Sequence, residues 1–271
     1  MQFTSESATK SPRERFRRIN WPGWLSFGAL LIAWEVSARS DPGLGSYLPR
    51  ASEIIPSLLR LILSGELTVH LLASFGRFVA GYVMAAVIAV TVGIVLGYFR
   101  ILHSFLHTLI EFLRPMPSVA IIPVALLLLG IGDSMIVAVT VYASVWPILV
   151  NTIDGVRAVD PLLIQTGRTF GLGRWRILRR IVLPAASPYI VTGLRISLAI
   201  ALILVTTAEM IAGSRGLGFF ILDEERSLRI SHMYAGVVLV AALGYLLNRT
   251  FIVLEARAMK WRHGMRAREA V

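Results

Sequence analysis

Residues 165–184 read QTGRTFGLGRWRILRRIVLP. The stretch carries five arginines, a Gly-Leu-Gly near its middle and an apolar run closed by proline, and it lies between long apolar segments. A loop this cationic resists transfer across a membrane, so between two spans it belongs on the cytoplasmic side. Its local chemistry is that of two short helices around a turn. Asp160 followed by Pro161 is a helix start, an N-cap acceptor ahead of a proline at the first helical position, with Leu162, Leu163 and Ile164 in the first turn. That helix should run to about Phe170, where Gly171-Leu172-Gly173 breaks it, because glycine tolerates positive φ. A second helix fits Arg174 to Val182, with Trp175, Leu178 and Ile181 or Val182 on one side and Arg176, Arg179 and Arg180 elsewhere. Pro184 and Pro188 are expected to end it before the next apolar segment. Two helices folded around a glycine turn form a docking surface, which implies a partner protein.

The rest of the chain supplies the membrane. Of its 271 residues 56% are hydrophobic and only 16% charged, with a mean hydropathy of +0.71. Soluble domains lie nearer 45–50% apolar and about 25% charged. The length suits five to seven helical spans of about 20 residues each, with little left for a soluble domain. The net charge of +11 comes from 27 basic against 16 acidic residues, and Lys10 and Lys260 are the only lysines. This charge sits in loops and tails, which argues for a cytoplasm-facing bias rather than nucleic-acid binding. With no cysteine, disulfides, thiolate catalysis and cysteine-based metal sites are excluded.

Residues 1–20 read as a cytoplasmic tail. Trp24 to Ala38 is a first span with interfacial tryptophans. Its end, Val36-Ser37-Ala38, resembles a signal-peptidase site, but Trp34 and Glu35 beside it favour an uncleaved span. Ser40 to Arg50 is a loop, and Ile54 to Leu63 is a short helix at the outer surface, too brief to span. Phe78 to Phe99 is a second span holding Gly93 and Gly97 at a spacing that lets helices approach closely, a weak signal by itself. Ile101 to Gly130 holds a third span, interrupted at Pro115, Pro117 and Pro123. Its freed carbonyls need neighbours, so it should be buried in the bundle. Met135 to Val150, Tyr189 to Met210 and Tyr234 to Leu254 are the fourth to sixth spans. Ala212 to His232 is an outer loop. This topology places 17 of the 27 basic residues inside and 6 outside, which puts both termini in the cytoplasm.

The loop has a known counterpart. Gly171, nine residues, then Ile181-Val182-Leu183-Pro184 resembles the E-A-A-x3-G-x9-I-x-L-P loop of ABC importer permeases, the binding-protein-dependent inner-membrane components. FLRPMPSVAIIPVALLLLGIG before it and TGLRISLAIALILVTTAEMIAGSRGLGFFI after it are similar to the nitrate/sulfonate/taurine branch. The resemblance covers roughly residues 65–255. It implies an all-α integral membrane protein of about six transmembrane helices with a type I importer fold. The expected organisation is a tail over 1–20, a first span and outer loop over 21–64, a core over 65–255 containing a coupling loop at 153–187, and a tail over 256–271. The implied function is that of the permease subunit of an ATP-driven importer in the bacterial inner membrane. Its implied cargo is a small polar or anionic nutrient such as a sulfonate, taurine or nitrate. The partners implied are two ABC ATPase subunits, a second permease copy, a periplasmic or lipid-anchored substrate-binding protein and membrane lipid.

The resemblance also assigns residues. Gln165, Gly167, Phe170, Gly171, Arg174, Leu183 and Pro184 would form the ATPase-coupling surface. Gln165, Thr166 and Gly167 stand where the family has Glu-Ala-Ala, so the carboxylate is lost while a small residue remains at 167. No Gly-Lys-Ser/Thr exists anywhere in the chain, since Lys10 follows Thr9 and Lys260 follows Met259. ATP hydrolysis therefore falls to a separate subunit, and neither a catalytic role nor a cofactor is expected here. A secondary transporter or channel working without an ATPase is the alternative, although no internal repeat supports an inverted-repeat transporter.

Several other features read as structural. His103 and His107 lie four apart without the companions of a metal motif. The GSRGLG at 213–218 looks like a phosphate-cradling loop but leads to no Lys-Ser/Thr, so it reads as a tight turn. Asp223-Glu224-Glu225 reads as a solvated edge. Glu35, Arg195 and Arg249 lie close enough to span ends to reach the interface. Arg77 and Glu209, near the ends of the second and fifth spans, are candidates for a gate or a helix-packing contact.

Overall fold

The computed structural model describes residues 21–40 and 47–259. The two expected tails thus lie outside the described residues, apart from the first four positions of the second. The chain divides into two compact units, Met1–Ile55 and Pro56–Val271. In the first, α1 (Trp21–Ser40) is held to the start of α2 (Ala51–Leu63) by polar contacts. Glu35 accepts from Arg39 at 2.8 Å and from the backbone N–H and hydroxyl of Ser52, and Trp34 donates to the Pro49 carbonyl.

The second unit is a helical bundle. It comprises α3 (Glu66–Tyr98), α4 (Arg100–Leu113), a 3-10 turn (Ser118–Ile121), α5 (Ile122–Leu129) and α6 (Asp133–Arg157). There follow α7 (Pro161–Thr169), α8 (Arg174–Ile177), a π turn (Leu178–Val182), α9 (Leu183–Ala212), α10 (Leu217–Arg226) and α11 (Ile230–Ala258).

Small residues set the closest contact. A Cβ on Gly81 would meet Thr140, one on Gly93 would meet Thr152, and one on Gly97 would meet Val156, each within 2.8 Å. The offset between partners is constant, so α3 and α6 run parallel at backbone-to-backbone distance. Ala85 and Ala89, fully buried between these glycines, continue the stripe. Contacts of α9 run the other way: Gly193 abuts Pro147 and Ile148, whereas Gly155 abuts Ala186 and Tyr189. The α9–α11 contacts, Arg195 with Glu255 and Leu202 with Gly244, are again antiparallel. A core of Phe78, Ile122, Met135, Ile136, Val139, Leu202 and Val205 fills the space between α3, α5, α6 and α9.

Because α3 and α6 are parallel, the segment between them must return through the bundle's thickness. Among the described residues, four helical stretches are long and apolar enough to cross a membrane: α3, α6, the continuous 174–212 helix and α11. The return segment is α4 and α5, bent by 89° at their junction, and taken as one broken span it brings the number to five. Helix α1 is not among them, because three tryptophans, two glycines and Glu35 dilute its apolar run.

Two expectations change. The prolines after α4 interrupt the third span, as the sequence indicates. Tyr142 donates to the Leu113 carbonyl at the break, as a neighbouring helix should. That span is not buried within this chain, since Phe105 and Leu127 are more than 80% exposed and Ile110, Ile122 and Ala125 are its buried residues. Pro184 and Pro188 do not end the second loop helix. Pro184 sits in the first turn of α9, where a missing N–H costs least, and the wider π turn before it lets one helix run from Arg174 to Ala212.

Candidate functional site

Two constellations lie at opposite ends of the bundle. The first is the arginine loop. The Asp160 carboxylate accepts from the Leu162 N–H at 2.8 Å and Pro161 opens α7, as the sequence indicates. At the other end, Gly171 has φ +72°. The Gly171 N–H donates to Arg168 O at 2.9 Å and the Leu172 N–H to Gly167 O at 3.0 Å. These two bonds form a Schellman cap, which satisfies carbonyls that would otherwise be orphaned. Gly167 is buried, and a Cβ there would lie 2.7 Å from the Ile181 side-chain tip. The glycine therefore lets α7 lie close against the helix after the turn. Ile177, Val182 and Ala186 anchor this layer to Val156 and Val159 of the bundle, each large side chain contributing on the order of 1.5–3 kcal/mol by burial.

Trp175 does not share that packed face; it is 70% exposed, and Phe170 is 80% exposed. Leu162, Leu163, Gln165 and Arg174 are exposed beside them, while Leu183 and Pro184 are half-buried at the base of α9. Among the described residues, none of Arg168, Arg174, Arg176, Arg179 and Arg180 forms an ion pair. The loop thus offers two bare aromatic rings inside a field of unpaired guanidinium groups.

The second constellation joins Arg77 and Glu209, which the sequence marks separately. Glu209 is fully buried and Arg77 is 5% exposed. The Arg77 Nη1 donates to the Glu209 carboxylate at 2.6 Å and to the Arg215 carbonyl at 2.6 Å. Its Nε and Nη2 both donate to Asp133 Oδ1, at 2.9 and 2.6 Å. Ser74, also buried, donates to Glu209 and accepts from the Leu217 N–H at 2.7 Å. The Gly218 N–H donates to Glu209 at 3.0 Å. His70 contacts Gly216 through Nδ1 at 3.1 Å. His70, Ser74 and Arg77 are spaced to share one face of α3, and together they grip the turn at 215–218.

The turn explains its glycines. A Cβ on Gly216 would strike the Glu209 carboxylate, and one on Gly218 the Thr206 carbonyl. The phosphate-like GSRGLG does cradle an anion at a helix N-terminus, but the anion is the chain's own Glu209. Sequence reasoning missed Ser74, His70 and Asp133, because nothing in their own neighbourhoods marks them. Glu224 also departs from expectation. It is 1% exposed rather than a solvated edge, and it pairs with Arg229 at 2.7 Å and faces His232 at 3.2 Å. Burial pushes its carboxyl up, against the pull of Arg229 and His232. His103 and His107 stack on each other, with no third metal-type ligand grouped with them among the described residues.

Comparison with known proteins agrees with this architecture. A Bacillus subtilis protein named for transport of aliphatic sulfonates is 29% identical over 260 residues, covering 96% of this chain and 94% of its own. The bicarbonate transport system permease of Synechococcus elongatus is 34% identical over 254 residues, covering 90% of each chain. Among solved structures, an inward-facing methionine ABC transporter superposes with a TM-score of 0.59 over 71% of this chain and 95% of that one. At 21% identity it supports the fold alone. Residues 85–260 match the family of binding-protein-dependent transport system inner membrane components, and the chain belongs to that family of membrane permeases.

Proposed function

We infer that this permease serves an ATP-driven importer of a small anion, in the sulfonate, nitrate and bicarbonate range, across a bacterial inner membrane. The observation that carries the reading is the bare surface of the arginine loop. Phe170 and Trp175 stand exposed on either side of a turn closed by the Schellman cap, beside Arg174 and four more unpaired arginines. An ATPase subunit with an apolar pocket and an acidic rim fits that surface. Two such subunits, a second permease copy and a substrate-binding protein on the far side complete the assembly, with lipid around it. Gln165, Gly167, Phe170, Gly171, Arg174, Leu183 and Pro184 form the coupling surface, within a core over 65–255 and a loop over 153–187. The loop and both termini face the cytoplasm. The substrate range rests on the names of the sulfonate and bicarbonate relatives and, for nitrate, on the resemblance carried by the stretches that flank the arginine loop.

The test is association with the ATPase and ATP-dependent uptake after Gly171→Pro and Arg174→Glu. Both variants should lose uptake and bind the ATPase more weakly; normal coupling in both removes the assignment. Liposomes holding this chain alone should not transport, and transport there would instead favour a secondary carrier.

A further inference from the structure

The two arms of Arg77 are not equivalent. The arm toward Glu209 is sealed: the carboxylate is fully buried and also held by Ser74 and the Gly218 N–H. Withdrawing either charge there would leave the other unpaired in a low-dielectric site. The arm toward Asp133 is open, because the Asp133 side chain is 62% exposed. Asp133 can turn into solvent and rehydrate, while Arg77, 5% exposed, keeps its buried Glu209 partner, so this arm opens more readily than the other. Both Nε and Nη2 converge on that one carboxylate oxygen. They are the edge of the guanidinium that a planar or tetrahedral oxyanion engages through two parallel bonds.

That edge lines a cleft of about 530 Å³. Arg215 lines the same cleft. Its side chain is exposed and forms no ion pair among the described residues. The remaining wall is apolar, including Val69, Leu72 and Val137. With Glu209 neutralising Arg77 from behind, Asp133 and Arg215 balance each other in the cleft. When Asp133 turns out into solvent, the cleft keeps a net positive charge and a free guanidinium edge beside an apolar wall.

We propose that this cleft binds an oxyanion carrying a small apolar group, and that Asp133 occupies the anion's place on Arg77 until the ligand displaces it. The inference deepens the anion-import reading and rests on it. Exchange against a resident carboxylate keeps binding weak, which a site on a transport route requires, since a ligand must leave as readily as it enters.

The experiment titrates 1-propanesulfonate onto the full-length chain in nanodiscs of zwitterionic lipid, read by calorimetry, with chloride at equal ionic strength as the control. Asp133→Asn removes the competitor and should lower the half-saturating concentration about tenfold, equivalent to about 1.4 kcal/mol. Arg215→Gln, at an exposed position that leaves the buried cluster intact, should raise it. Unchanged or weaker binding in Asp133→Asn, or an equal response to chloride, overturns the proposal. The same chemistry could come from an anionic lipid headgroup. Nanodiscs doped with phosphatidylglycerol separate the sources: competition assigns the cleft to lipid, and its absence to the soluble anion. Propanesulfonate uptake by the complete assembly without a saturable titration would overturn this inference alone. A titration without ATP-driven uptake would overturn the importer reading instead.

Discussion

Glu209 has its charge where no water reaches it, and every donor it needs comes from elsewhere in the chain. Replacing it with alanine leaves the Arg77 guanidinium buried with one of its two carboxylate partners gone. The cost should be roughly 3–5 kcal/mol, the range for breaking a buried pair from one side. Arg77→Met combined with Glu209→Leu should cost less than Glu209→Ala alone, because no uncompensated charge remains. Asp133→Asn should cost less than about 1 kcal/mol, since that partner is 62% exposed. Denaturant unfolding of the purified protein in detergent gives all three values, and an equal cost for the two acids would show that the arms of Arg77 are alike. The residues of this cluster were only half legible beforehand. Arg77 and Glu209 stand out because charge inside an apolar segment is rare, but 132 positions separate them, and no local pattern announces a pairing at that distance. Ser74 and Asp133 carry no signal of their own, because a serine in a span and an aspartate at a helix start are each ordinary.

At the scale of elements, two helix ends show how far local chemistry can be trusted. Helix α7 starts at Asp160-Pro161 and stops at Gly171, and both ends were readable from residue type, because caps are made by neighbours in sequence. Helix α10 ends by the same pair of bonds, from the Leu228 N–H to Glu225 O and from the Arg229 N–H to Glu224 O. Its left-handed residue is Leu228, with φ 57°. No glycine marks that stop, so it was not read. A left-handed leucine costs roughly 1–2 kcal/mol, partly offset by the greater entropy that a glycine loses on folding. Leu228→Gly should therefore raise stability by up to about 1 kcal/mol, since the side chain it removes is 80% exposed. Thermal unfolding beside the wild type checks it, and a loss would show that the leucine makes contacts outside this chain. The Gly81, Gly93 and Gly97 seam was visible in part, as a spacing without a partner. Its partner is now Thr140, Thr152 and Val156 on a parallel helix. Gly93→Leu should destabilise by roughly 1–3 kcal/mol through overpacking, and Val83→Leu on the exposed side of the same helix should be nearly neutral. Equal effects would mean that the seam is not close-packed. Pro184 misled because a proline's effect depends on its position in the turn: it falls where α9 tolerates it, whereas Pro115 and Pro117 lie between helices and interrupt the span as expected.

For the whole molecule, parity narrows what the charge asymmetry suggests. With the bent α4–α5 pair counted as one span, the described residues from α3 onward hold five apolar spans: α3, that pair, α6, the 174–212 helix and α11. Five crossings put residues 66 and 258 on opposite sides of the membrane. The arginine loop and the end of α11 then share one side, which we propose is the cytoplasmic one, as the loop's positive charge favours. An N-terminal tail on that same side requires α1 to cross as well, and α1 is the helix whose composition falls short of a span. The chain contains no cysteine, so single cysteines report sidedness against a silent background. Phe170→Cys should react with a membrane-impermeant maleimide only after the membrane is opened, and Leu228→Cys should react in intact cells, because one crossing separates two exposed positions. Ser5→Cys then settles α1. Protection in intact cells, matching Phe170→Cys, means six crossings with both termini inside. Labelling like Leu228→Cys means five, with α1 lying along the outer surface, and the basic residues at 10–18 would then break the charge rule that the rest of the chain obeys. We expect protection. Five basic residues before the first apolar segment hold that end in the cytoplasm more firmly than three tryptophans and one glutamate oppose insertion of α1.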